Sequence, residues 1–235
     1  MRCKRCRIPQ SETMPEHSHT RLWPFRYNVG MNPTIATDAF DNAVGRNAEN
    51  KPGDSGNIFL VGMMGAGKTT IAKLVGGLLE KAVYDCDREI QKRTGVSIPV
   101  IFEIEGESGF RKRETEMLTE LVKSRNIVLA TGGGAVLSRE NREMLRCNGT
   151  VVYLRATIDD LWRRTRQDKN RPLLQTPDPR MKLAELYAQR DPLYRETAHI
   201  IVESGKRSAR NLAQLLAQQL SACSGFERMT ENRIK

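Results

Sequence analysis

Four apolar residues, Ile58-Phe59-Leu60-Val61, run directly into Gly62-Met63-Met64-Gly65-Ala66-Gly67-Lys68-Thr69. Nothing else in the chain constrains its fold as strongly. The stretch matches G-x-x-x-x-G-K-[ST], and each residue type has a physical reason. Glycines let backbone N–H groups turn toward phosphate oxygens, the lysine neutralises the β and γ phosphates, and the threonine hydroxyl serves Mg²⁺. Gly65, Ala66, Gly67, Lys68, Thr69 and Thr70 are therefore candidates for holding ATP, and Lys68 is also a catalytic candidate. A chance glycine-rich turn is the alternative. It leaves unexplained why a strand pattern precedes the turn and a helix pattern follows it.

From Asn57 onward, short β-branched runs alternate with helical patterns, the sequence form of a parallel sheet covered on both faces. Strands are expected at Ile58–Val61, Ala82–Asp85, Ile127–Thr131, Thr150–Leu154 and His199–Val202, with helices beginning near Lys68, Glu107, Ser138, Thr157 and Ser208. Ser138 and Thr157 are good N-cap residues. The segment 166–179 is polar, proline-bearing and aperiodic, and a long loop of that kind inside an α/β domain is usually functional, so it is expected to act as a mobile lid.

The chain has 235 residues, 39% of them hydrophobic, which is enough for one α/β core. Residues 1–56 show no sustained periodicity and are expected to form a largely disordered leader. The catalytic domain is expected over 57–220, and a flexible tail over 221–235. The leader could be a transit peptide or reflect a start codon further on, such as Met31. No apolar stretch approaches the roughly 20 residues of a membrane helix, so no membrane partner is expected. The net charge of +10 raises nucleic acid as a partner. Much of that charge sits in Arg155, Arg163, Arg164, Arg166, Lys169 and Arg171, with the lone Trp162 among them rather than the repeated aromatics single-strand binders use, and phosphate on a small substrate accounts for it equally well. Five cysteines in no regular framework fit a reducing cytoplasm. Cys3 and Cys6 form a C-x-x-C with only His17 and His19 nearby, which reads as an incidental pair rather than a zinc site.

Three further features bear on chemistry. Asp85-Cys86-Asp87 closes the second strand, where carboxyl ends of parallel strands open onto the ligand crevice. One carboxylate could face Mg²⁺ and the other an acceptor hydroxyl, although Asp87 could also simply cap a helix. Gly132-Gly133-Gly134 allows close backbone approach to a ligand, or is a bare turn. Arg111, with Glu114 three residues on, presents a fork suited to a substrate carboxylate, or forms a surface ion pair.

Taken in order, the P-loop, Asp85-Cys86-Asp87, Gly106-Glu107 with Phe110-Arg111 and Glu114, the triple glycine, Arg171-Pro172-Leu173-Leu174 and Pro192-Leu193-Tyr194-Arg195 resemble the shikimate kinase family over about residues 57–220. The resemblance implies a P-loop three-layer α/β/α fold of the nucleoside-monophosphate-kinase type, with about five parallel strands and a mobile lid. It implies ATP-dependent phosphorylation of shikimate, with Mg²⁺ as cofactor, by a cytoplasmic monomer of the aromatic amino acid pathway. By the same resemblance Asp87, Arg111, Gly132, Gly133, Gly134 and Arg195 hold shikimate, with Asp87 beside the accepting hydroxyl. Lys68 and Arg171 face the transferring phosphoryl group, Thr69 and Asp85 serve the metal, and Arg164 lies by the adenine. Cys86, where the family usually carries Ser or Thr, and Ala82-Val83, in place of a commoner aromatic, are departures. The alternatives are a gluconate or nucleoside monophosphate kinase, or a non-catalytic module switched by ATP.

Overall fold

The computed structural model describes residues 44–46, 55–168, 171–205 and 207–231, with side chains described from 55 to 221. In chain order the strands are β1 (Val44–Arg46), β2 (Ile58–Val61), β3 (Ala82–Asp85), β4 (Ile127–Ala130), β5 (Thr150–Arg155) and β6 (Ile200–Glu203). The helices are α1 (Lys68–Leu78), α2 (Cys86–Thr94), α3 (Ile98–Leu121), α4 (Arg139–Asn148), α5 (Ile158–Thr165), α6 (Pro179–Thr197) and α7 (Ala209–Glu231). Short 3₁₀ turns occupy Ala135–Leu137 and Pro172–Leu174.

The sheet order is β1-β6-β5-β2-β4-β3, and β2 through β6 are all parallel. β2 and β4 are buried at every position, as expected of strands covered on both faces. β3 lies at one edge, and its first two residues are exposed. Buried Asn57 staples the start of the sheet. Its Nδ2 donates to Ser124 O at 2.7 Å, its Oδ1 accepts from Ile127 N–H, and its carbonyl accepts from Thr150 N–H. His199 does similar work at the start of β5: its N–H donates to Val151 O while its Nδ1 accepts from Val151 N–H, both at 2.9 Å. α1 and α7 pack on each other, whereas α4 and α6 pack on each other and on β5.

β2 has β4 on one side and β5 on the other, so the turn leaving its carboxyl end sits where the strand order reverses, the usual ligand crevice of such sheets. All five strands read from the sequence are present to within a residue at each end, and the P-loop α/β fold is as expected. Several differences are informative. α2, α6 and the first half of α3 are additional helices. Val44–Arg46, within the segment expected to lack structure, pairs antiparallel with β6 as an outer strand. α7 continues to Glu231, eleven residues into the expected flexible tail. Cys3, Cys6, His17, His19, Met31 and Lys169 lie outside the described residues. Among the described residues no helix is long and apolar enough to cross a membrane.

Candidate active site

The nucleotide loop is built from backbone requirements upward. Gly67 sits at the head of α1 with φ 95°, a conformation L-residues avoid, and this lets the chain turn from loop to helix. Ala66 is buried in the loop, and its N–H donates to Met63 O. Lys68 folds back, its Nζ donating to Gly62 O at 2.7 Å and Met63 O at 3.0 Å. Burial of the ammonium lowers its pKa to about 8, and the charge of Arg171 adds to this against the opposing pull of Asp87, Asp85 and Glu114. Thr69 donates its hydroxyl to Asp85 Oδ2 at 2.6 Å. The hydroxyl and carboxylate expected to serve a metal therefore meet at the mouth of the loop. Thr70, also in the first turn of α1, is exposed.

β3 delivers the two aspartates to the same mouth. Asp85 is the N-cap of α2, accepting from Arg88 N–H, so the alternative in which Asp87 caps the helix does not hold. Asp87 is left to face the crevice. Its carboxyl is pushed up, first by burial and then by Asp85, with Lys68, Arg111 and Arg171 pulling the other way. Its Oδ1 is buried and has no donor among the described residues. Cys86 between them is fully buried and receives the N–H of Gly132, which ties the aspartate turn to the glycine turn after β4.

α3 supplies the cationic wall. At Gly106 the helix is broken by φ 69°, ψ −177°, and the second half starts afresh toward the crevice. Arg111 is clamped there. Its Nη1 donates to Glu114 Oε2 at 2.8 Å, its Nη2 donates to Glu107 Oε1 at 2.8 Å, and its guanidinium lies over the Phe110 ring. Glu114 is wholly buried, and burial raises its pKa despite Arg111. Its Oε1, like Asp87 Oδ1, has no donor among the described residues. Both carboxylates crowd the glycine turn: a Cβ on Gly132 would lie 1.9 Å from Glu114 Oε1 and 3.2 Å from Asp87 Oδ1. A Cβ on Gly134 would lie 2.2 Å from Arg111 Cζ. The glycines are there for close approach.

Arg171 lies in the stretch between α5 and α6. It pairs with Asp168 at 2.9 Å, and its charge is felt by both Lys68 and Asp87. Arg164 bridges Gly65 O and Ser204 O, bracing the nucleotide loop against the end of β6.

Arg195 is not part of this group. Its side chain is 43% exposed and pairs with Asp191 at 2.6 Å on its own helix. The arginine that α6 directs inward is Arg190, 1% exposed, whose Nη1 donates to Gly133 O at 3.3 Å and whose pKa is lowered by burial. The reason is helical phase. The buried residues of α6 are Leu183, Leu186, Arg190, Tyr194 and Thr197, spaced by three and four, and Arg195 falls off that stripe. A charge in the middle of an apolar stripe was the available signal, hidden because the helix itself was not recognised. Tyr194, also on the stripe, donates its hydroxyl to the same Gly133 carbonyl.

Comparison with known proteins gives a consistent picture. The family model described as shikimate kinase matches residues 64–221. The chain is 71% identical over 193 residues to a protein of Nitrosospira multiformis named shikimate kinase, covering 81% of this chain and 98% of that one. It is 57% identical over 196 residues to the shikimate kinase of Nitrosomonas europaea, covering 83% and 90%. Among solved structures, shikimate kinase from Acinetobacter baumannii in complex with shikimate superposes with a TM-score of 0.69 at 51% identity, covering 71% of this chain and 93% of that one.

Proposed function

Since the chain belongs to the shikimate kinase family, we propose a division of labour among its residues for moving the γ-phosphoryl group of ATP to a hydroxyl of shikimate. The protein is an ATP-dependent shikimate kinase, a phosphotransferase of aromatic amino acid biosynthesis. The observation that carries the residue assignment is the clamped Arg111 against Gly134, in the same crevice as Lys68 and Asp87. A fixed guanidinium fork suits the carboxylate of the acceptor, with Arg190 as a second cation. The glycine turn lets the ring sit against backbone.

Asp87 takes the role of base. The accepting hydroxyl oxygen forms the new bond to the γ phosphorus as the bond to the β-bridging oxygen breaks and ADP leaves, and the hydroxyl proton passes to Asp87. A raised carboxyl pKa suits that task, because basicity rises with it. Lys68, Arg171 and the loop N–H groups face the charge spread over the transferring group's equatorial oxygens. Arg164 lies on the nucleotide side, where it braces the loop. The segment bearing Arg171 excludes water, a competing acceptor.

The Thr69 hydroxyl and the Asp85 carboxylate are hard oxygen donors already in contact, so they fit Mg²⁺. Among the described residues no cluster of three or more His, Cys, Asp or Glu could hold a metal. When bound, Mg²⁺ neutralises charge on the β and γ phosphates.

We place the enzyme in the cytoplasm as a monomer without nucleic-acid or membrane partners. Within its basic run, Arg155 pairs with Glu203 and Arg163 with Asp160, which offsets part of the charge a nucleic acid would meet. A coupled assay offering shikimate, gluconate and AMP with MgATP tests the reading. Turnover with shikimate alone is expected; preference for either other acceptor, or ATP binding without transfer, would overturn it.

A further inference from the structure

The carbonyl of Gly133 receives two hydrogen bonds from α6, one from Tyr194 Oη and one from Arg190 Nη1 at 3.3 Å. Tyr194 is fully buried, and its ring stacks on Tyr153 of β5 with centroids 4.9 Å apart. Tyr153 in turn donates its hydroxyl to Asp191 at 2.7 Å. The Tyr194 hydroxyl also lies 3.7 Å from Met63 Sδ in the nucleotide loop. Gly133 itself packs on that loop: a Cβ there would lie 3.5 Å from Met64 N and 3.7 Å from Gly62 O. The tyrosine hydroxyl therefore sits at the joint between the loop that holds ATP and the turn assigned to the acceptor.

There is a stereochemical consequence. The Gly133–Gly134 peptide is trans, so its C=O and N–H point in opposite directions. Drawing the carbonyl toward α6 turns the Gly134 N–H away from α6. Gly134 itself lies hard against the Arg111 guanidinium. We propose that Tyr194 is a positioning residue for the acceptor: its hydroxyl fixes the Gly133–Gly134 peptide so that the Gly134 N–H is presented as a donor to the shikimate oxygens. This rests on the assignment of the glycine turn to shikimate made above. Burial raises the pKa of Tyr194, so its hydroxyl stays a donor across the working pH range.

Tyr194→Phe removes one oxygen and keeps the stacked ring. Loss of one buried hydrogen bond predicts a rise of about five- to tenfold in KM for shikimate, with kcat and KM for ATP within about twofold and the effect constant between about pH 6 and 9. Tyr153→Phe keeps the stack and loses only the Asp191 bond, and it should leave KM for shikimate at the wild-type value. In the unaltered enzyme, shikimate should shift the Gly134 amide resonance, a measurement that needs no variant. An unchanged KM for shikimate in Tyr194→Phe, an equal rise for ATP, an equal rise in Tyr153→Phe, or an unmoved Gly134 amide would each overturn the proposal. Absence of wild-type turnover with shikimate would instead overturn the functional reading on which it stands.

Discussion

Two residues with shifted titration carry the most direct consequences. Lys68 acts as a cation, and burial brings its pKa down to about 8. The free enzyme should therefore lose kcat/KM for ATP as pH rises through about 8, and Lys68→Arg should move that limb upward. Lys68→Ala should cut turnover by about 10²-fold or more, the scale for one positioned charge at a transition state. The unfolded chain keeps its lysine protonated up to the ordinary value of 10.5, so between about 8 and 10.5 the unfolded state binds more protons and this group's contribution to stability rises with pH. For the aspartates, Asp87→Asn should lower kcat by about 10²–10⁴-fold with ATP binding kept. Asp85→Asn should raise the Mg²⁺ concentration giving half-maximal rate, while asparagine, an equally good N-cap, can keep the bond from Arg88 N–H. Rescue of Asp87→Asn by excess Mg²⁺ would reverse the two roles. The nucleotide loop was legible in the sequence because its geometry demands particular residue types at fixed intervals. Arg190 was not, because choosing it over Arg195 requires the phase of a helix in three dimensions.

Elements differ in legibility for similar reasons. β2, β4 and β5 are apolar runs bounded by polar turns, and burial on both faces writes itself directly into composition. α2 buries only Cys86 and Ile90, too few for a periodic signal. α6 carries Pro192 in its interior, which in sequence looks like a break. α3 was seen only from Glu107 because it is two helical pieces with different phases, joined at Gly106. That joint is testable. A Cβ at Gly106 meets nothing within 4 Å, so Gly106→Ala acts through backbone conformation alone. Its φ of 69° with ψ near 180° belongs to a region essentially reserved for glycine, at a cost on the order of 1–3 kcal/mol. The expected result is a lower melting temperature together with a higher KM for shikimate, because the bend aims Phe110, Arg111 and Glu114. A fall in melting temperature with unchanged KM would mean that the bend does not set the aim.

At the scale of the whole molecule, the outer strand β1 was illegible. Val44-Gly45-Arg46 is three residues without alternation, and its place is fixed by a partner more than 150 positions away. Removing residues 1–53 deletes β1 and bares the edge of β6. The expected outcome is kcat within about twofold of the full chain and a melting temperature lower by a few degrees, since about 1 kcal/mol moves a domain of this size by about 2–4 °C. An unchanged melting temperature would show that β1 adds nothing. The sheet order has a different kind of consequence. The continuous stretch from β3 through α2, α3 and β4 to the turn that follows carries Asp87, Arg111 and the three glycines, whereas the nucleotide loop, Arg164 and Arg171 come from the end of β2 and the segments after β5. A protein engineer wanting a new acceptor would be tempted to transplant residues 82–137 as a cassette and keep the ATP half. Such a chimera would seat its new glycine turn against an old α6, whose Arg190 and Tyr194 are cut to fit the turn that was removed. Acceptor exchange in this architecture therefore takes two separated pieces of gene, inherited together.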